Sequence, residues 1–191
     1  MRLPILQPDE LNDRQKELYA RIAGKRGHVR GPYAVWLHSP ELCDRVEALG
    51  AFVRFDCILP ERIRELSILV CARHFDAPYS WAAHADKAVD AGVDAKAVKD
   101  LAENRKPTFL NEDEQVFYRF ATELLETHFV SDETFELARK TFSDQGVVDM
   151  LGCIGNFSML AMCLNAFAVP LREGIEPPFP DVRNERKVEP A

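Results

Sequence analysis

Between Pro60 and Gly92 the chain carries two consecutive segments with helical apolar spacing and no lasting strand-like alternation. In the first, Ile63, Leu66, Ile68, Leu69 and Val70 cover much of a helix's circumference. A helix that is apolar nearly all round must be surrounded by other elements rather than lie on a surface. In the second, opened by Pro78 and closed by Gly92, Trp81, Ala85 and Ala88 share one face with His84. A chain that has to enclose one helix with others is confined to a multi-helix bundle, so we expect an all-α fold.

The rest of the sequence supplies the enclosing helices. A first helix is expected over Asp9–Lys25, with Leu11, Leu18, Tyr19 and Ile22 on its apolar side. Gly24, Gly27 and Gly31-Pro32 mark a loop. Ser39-Pro40-Glu41 places a cap, a proline at the first helical position and an acid in the first turn, ahead of Leu42, Val46, Leu49, Phe52 and Val53. Asp94 caps a short helix through Val98 and Leu101, Asn111 to Glu114 has capping-box spacing, and Ser131 or Asp132 starts the segment containing Phe135 and Leu137. The apolar run from Val147 to Val169, ended by Pro170, is near membrane-spanning length, but Asp149, Asn156 and Asn165 mark it as a buried helix. The tail from Glu173 is rich in proline and charge and reads as disordered or as an arm on a neighbouring subunit. We expect a single domain: an N-terminal helix and linker over 1–30, the helical domain over 31–170, and a tail over 171–191.

Composition removes several function classes. At 191 residues the chain is long enough for one core, and a net charge of −7 without a basic run argues against nucleic acid or an anionic membrane as partner. A small anionic substrate remains open, provided Arg or His side chains gather locally. The first residues lack the charged-then-apolar order of a leader, so a cytoplasmic protein is expected. The five cysteines are odd in number and form no Cys-x-x-Cys pair, which favours buried reduced thiols over disulfides or a metal site. No phosphate loop, dinucleotide fingerprint, zinc spacing or nucleophile elbow occurs, and no cofactor is implied.

Three groups of residues carry chemistry. His84 lies on an apolar helical face, where partial desolvation favours the neutral imidazole; it is either a satisfied core histidine or a general acid–base. Glu65 lies between Ile63 and Leu66 on the central helix, where a carboxylate needs partners, and it could orient His84. Arg73, two turns beyond Glu65, is either a structural arginine or a fork for a substrate carboxylate. The second group is Gly31 to Pro40, where Trp36 and His38 stand close together in a proline-bounded loop. The third is Gly152 to Phe167, where Asn156 and Asn165 need hydrogen-bond partners, from a structural network or from a substrate.

The segment ERIRELSILVCARHFDAPYSWAAHADKAVDAG, Glu61 to Gly92, resembles the core of the carboxymuconolactone decarboxylase and alkylhydroperoxidase-D superfamily. The peroxidase branch places a Glu, a Cys-x-x-Cys pair and a His at fixed spacing. On this chain those positions fall on Glu65, Ala77, Ser80 and His84, so the frame is present and the redox pair is not. The resemblance runs from about Gly31 to Pro170 and includes the HSPEL lead-in at His38 and the Leu164-Asn165 pair, with Asn156 where long members carry an aromatic. It implies an alkylhydroperoxidase-D-like bundle, assembly as a homo-oligomer (dimer, trimer or hexamer), and a cofactor-free lyase or isomerase acting on a small anionic lactone or keto acid. In that scheme His84 moves the proton and Glu65 orients it. Arg73 and His38 hold the substrate carboxylate, Trp81, Tyr79 and Trp36 shape an apolar pocket, and Asn156 and Asn165 face the substrate. A thiol peroxidase would need a displaced cysteine, the nearest being Cys71, and a non-catalytic ligand-binding protein is the third reading.

Overall fold

A computed structural model of the chain describes residues 1–183 and Glu185, and among them every regular element is a helix. In order these are α1 (Asp13–Arg26), α2 (Pro32–Trp36), α3 (Pro40–Ala51), a π-helical turn (Phe52–Asp56), α4 (Glu61–His74), α5 (Pro78–Asp90), α6 (Ala95–Ala102), α7 (Glu112–Thr127) and α8 (Asp132–Ala166). As the all-round apolar pattern requires, α4 is central. It packs against α5, α6, α7 and α8, with Ile63, Leu66, Leu69 and Cys71 fully buried. Each such aliphatic side chain contributes about 1.5–3 kcal/mol relative to exposure.

Local chemistry sets the helix boundaries. Asn12 and Gln15 cap α1 reciprocally, each accepting the other's backbone N–H at 2.9 Å, so the helix starts at Asp13 rather than at the expected Asp9. Asp94 accepts the Ala97 N–H at 3.1 Å and Ser131 the Thr134 N–H at 3.4 Å, as anticipated. Ser39 precedes α3, but its side chain makes no cap bond. Two features depart from expectation. The Gly31–Pro40 loop contains the short helix α2, in which Pro32 presets the first turn and Tyr33 to Trp36 are all buried. And α3 does not continue through Val53 as a regular helix; it widens into the π turn, which re-aims Arg54.

The segments beginning near Ser131 and Val147 form one helix, α8, interrupted at Ser143 (φ 68°, ψ 172°), whose hydroxyl accepts the Gly146 N–H at 3.4 Å and restarts it. By length and composition α8 could cross a membrane, but Met150, Cys153, Ile154, Phe157 and Ala161 are buried in the bundle, as the polar residues within the segment anticipated. A second apolar cluster joins α1, α2 and α3 to the C-terminal end of α8 through Leu18, Ile22, Trp36, Cys43, Val46 and Cys163. The tail does not leave the molecule at once: Phe179 is buried edge-on to Trp81 of the same chain, at 5.9 Å between ring centres. Residues 184 and 186–191 of the expected arm lie outside the described residues.

Candidate active site

The α4–α5 hairpin brings Glu65 and His84 together. The chain turns sharply after His74, the Ala77 N–H returns to Ala72 O at 2.7 Å, and Pro78 opens α5 so that it lies back along α4. His84 Nδ1 is then 2.8 Å from Glu65 Oε2. The other carboxylate oxygen, Oε1, is met by Arg54 Nη1 at 2.5 Å, delivered from the π turn. The Glu65 side chain is 1% exposed, that of Arg54 16% and that of His84 22%. A carboxylate this deep survives only with such partners.

The electrostatics follow from that burial. Burial alone would raise the Glu65 carboxyl, but the His84 hydrogen bond and the His84 and Arg54 charges prevail and hold it below its ordinary value. Burial lowers the His84 imidazole below its ordinary value, against the upward pull of Glu65. Near neutral pH the pair is therefore a carboxylate and a neutral imidazole. An ionised carboxylate only accepts, so Nδ1 carries the proton and Nε2 is the basic nitrogen.

His84 lines a cavity of about 430 Å³ whose charge is one-sided. Lys25, Arg26, Arg30, Arg54, Lys87 and Arg172 border it together with His28, and among the described residues no carboxylate does. In a chain of net charge −7 this concentrates cations at one opening, a field that attracts small anions. Tyr33, Phe55, Tyr79, Leu160 and Leu164 supply the apolar wall. Gly31 lets the wall close: it has φ 60°, and a Cβ there would sit 2.8 Å from the Tyr79 ring. Past His84 a smaller recess of about 60 Å³ continues inward, bordered by Arg26, Tyr33, Gly50 and Asn156.

The sequence candidates divide between the site and the scaffold. His84, Glu65 and Tyr79 come together at the main cavity, and Asn156, 2% exposed, borders the recess. Arg73 does not reach His84. It pairs with Asp76, donates to Ala102 O at 3.2 Å and stacks on Phe179 at 4.9 Å. His38 Nε2 lies 2.9 Å from Pro4 O, Trp36 packs edge-on to Tyr33 at 5.5 Å, and Trp81 is buried against Phe179. Asn165 donates to Phe75 O at 2.6 Å and so fastens α8 to the α4–α5 turn. Their place in the pocket is taken by residues that sequence reasoning missed: Arg26, Arg30, Tyr33, Arg54, Lys87 and Arg172. The cations among them come from four separate stretches of chain, so no local motif announces them.

No thiol lines either space. All five cysteines are buried, and burial pushes Cys71 up to about 12 and Cys43 and Cys163 to about 11. Ser80, at one of the two redox-cysteine positions, does border the cavity, whereas Ala77 is fully buried. Among the described residues no group of three or more His, Cys, Asp or Glu side chains is arranged to hold a metal ion.

The helical arrangement recurs in solved structures. An alkylhydroperoxidase AhpD core, a peroxidase-related protein from Ralstonia eutropha JMP134, matches with a TM-score of 0.75 and 18% identity over 90% of this chain and 92% of its own. A peroxidase-related protein from Silicibacter sp. TM1040 matches with a TM-score of 0.72 and 18% identity, over 91% of each chain. The chain has the alkylhydroperoxidase-D fold. The debrominase Bmp8, in its C82A form with 2,3,4-tribromopyrrole, shares this fold at a TM-score of 0.68 and 15% identity, over 88% of this chain and 90% of its own. No family model matches the chain, and no curated protein matches it. The alkylhydroperoxidase-D fold is thus established by shape, with identities too low to select the carboxymuconolactone decarboxylase branch.

Proposed function

We propose that this alkylhydroperoxidase-D-fold chain is an enzyme that moves a proton on a small anionic lactone or keto acid, as an isomerase or a decarboxylase, with His84 as the proton carrier. The observation that carries this reading is the buried Glu65–His84 pair opening onto a cavity bordered by cations and by no thiol. Glu65 holds the Nδ1 proton, which fixes the tautomer and steadies the imidazolium once Nε2 has taken up a proton. In isomerisation neutral His84 takes a proton from one carbon and returns it to another. In decarboxylation the carbon–carbon bond breaks, carbon dioxide leaves, and the electron pair stays behind as an enolate. His84, protonated from solvent, then delivers a proton to that carbon. In either case the arginines of the cavity offset the negative charge of the enolate.

Bmp8 is solved with a small unsaturated ring, which supports a ligand of that size in this fold. The absence of a cavity thiol argues against a peroxide-reducing thiolate, because the thiolate is the nucleophile in that chemistry. We further propose homo-oligomer assembly, supported by Val148, Leu151 and Met162, which leave an exposed apolar stripe along α8. The test of the function is product analysis by NMR on γ-carboxymuconolactone and a panel of small keto acids and lactones, wild type beside His84→Ala. Turnover by the wild type, lost in a folded His84→Ala, is expected. Turnover that survives the substitution removes His84 as the proton carrier, and saturable binding of the panel without turnover would make the chain a binding protein.

A further inference from the structure

Seven elements border the inner recess: Arg26 ends α1, Tyr33 comes from α2, Gly50 from the last turn of α3 and Asn156 from α8, while Arg54 of the π turn, Ile68 of α4 and His84 of α5 complete the wall. Arg54 and His84 are held by Glu65, but other polar atoms of the recess have no hydrogen-bond partner among the described residues. Asn156 is 2% exposed, yet neither its amide nitrogen nor its oxygen makes a hydrogen bond. Arg26 Nε and Nη2 are likewise buried and unbonded, while the guanidinium rests 4.5 Å over the Tyr33 ring. Among the described residues no carboxylate pairs with Arg26: Glu47, the buried acid of α3, is taken by Arg21 and Lys25, and Glu65 by Arg54 and His84. Buried polar groups in folded proteins are nearly always satisfied, so this cluster is built for something that enters it.

We infer that this recess is a carboxylate subsite, in which Arg26 and Asn156 donate to the oxygens of a substrate carboxylate. A planar two-oxygen acceptor matches the guanidinium fork, and the Asn156 amide and the Tyr33 hydroxyl are further donors at the same spot. The recess, about 60 Å³, is large enough for a carboxylate head. The larger cavity, about 430 Å³, is left for the body of the substrate. His84 borders both spaces, so the carbon it reaches is one close to the anchored carboxylate. Gly50 keeps the recess open: a Cβ there would lie 2.6 Å from Tyr33 Oη, 3.5 Å from Arg26 Nη2 and 3.7 Å from Asn156 Oδ1.

This subsite rests on the reading of the substrate as a small organic anion, and it is tested by binding alone. Levulinate, a small keto acid, is titrated into the full chain by calorimetry, with its uncharged methyl ester as the control. The Asn156 side-chain amide resonances are followed in parallel. Levulinate should bind, the ester at least about tenfold more weakly, and the Asn156 signals should move during the titration. Arg26→Gln should weaken levulinate binding by about tenfold or more. Gly50→Ala, which removes no charge, should weaken it comparably. Failure of levulinate to bind, ester binding equal to that of the acid, or stationary Asn156 signals would overturn the subsite and leave a water-filled hollow. Affinity unchanged in a folded Arg26→Gln would do the same, and if that variant does not fold, the wild-type amide signals decide. The readout is binding and not turnover, so a failure of the proton-transfer reading leaves this result standing.

Discussion

The imidazole of His84 and the carboxylate of Glu65 meet at 2.8 Å across the α4–α5 hairpin, with the carboxylate enclosed and the imidazole open to the cavity. The pair joins a buried charge to an accessible basic nitrogen. Its titration is therefore set by the protein more than by solvent. Burial lowers the imidazole below its ordinary value of 6.5 and Glu65 opposes this. If neutral His84 is the working base, kcat/KM rises with pH along an acid limb centred below 6.5. Glu65→Gln removes the opposing pull, so the limb moves to still lower pH while kcat falls about 10²-fold. A pH–rate profile of both proteins checks this. A limb that moves upward in the variant would contradict the assigned order of effects.

Arg54 holds the other side of the same carboxylate and lowers both groups. Arg54→Met leaves Glu65 with His84 as its partner. We expect a loss of stability of about 3 kcal/mol, read by urea unfolding, because a buried carboxylate loses a charged neighbour. The His84 imidazole should titrate higher than in the wild type, as followed by NMR. The sign for stability follows the depressed Glu65 value. Its contribution is present above its ordinary value of 4.5 and is lost as pH falls through the lower folded-state value.

The thiols provide an independent check. With all five buried and Cys71 pushed up to about 12, the native protein should react with a thiol reagent such as DTNB only as fast as it opens, and all five should react in denaturant. No thiol-dependent peroxide consumption is expected. Rapid labelling of one cysteine in the folded protein, accompanied by peroxide turnover, would point instead to peroxidase chemistry.

Ser143 holds φ 68° and ψ 172° inside α8, a region that a side chain occupies at a cost of order 1–3 kcal/mol. Ser143→Gly relieves the strain and loses only a few tenths of a kcal/mol of capping. A net gain of about 1 kcal/mol, or roughly 2–4 °C in Tm, is expected by calorimetry. A lower Tm would show that the hydroxyl contact to Gly146 matters more than the backbone strain.

The fold was legible because it rests on local periodicity. The apolar circumference of α4, the proline opening α5, and the caps at Asp94 and Ser131 are all properties of short stretches, and they set most of the bundle. His84 and Glu65 were legible through the motif frame that the resemblance implies, whereas their residue pattern alone left a core histidine open; the hairpin brings them into contact. The cationic border was not, because Arg26, Arg54 and Arg172 meet only after α1, the π turn and the tail have packed. Arg54 was hidden further by the π turn, which no pattern in Phe52–Asp56 signals. Arg73 misled for the opposite reason. It lies two turns from Glu65 in sequence, but its local partner Asp76 and the Ala102 carbonyl hold it on another side of the helix.

Proton transfer by His84 is tested most directly by solvent exchange. Once a keto acid from the panel is found to bind, it is incubated in D2O with wild type, His84→Ala and Glu65→Gln, and deuterium at carbon is followed by NMR. The wild type should introduce deuterium catalytically, Glu65→Gln at about 10²-fold lower rate, and His84→Ala at the uncatalysed rate. Exchange by a folded His84→Ala at the wild-type rate would contradict the assignment of His84 as the proton carrier.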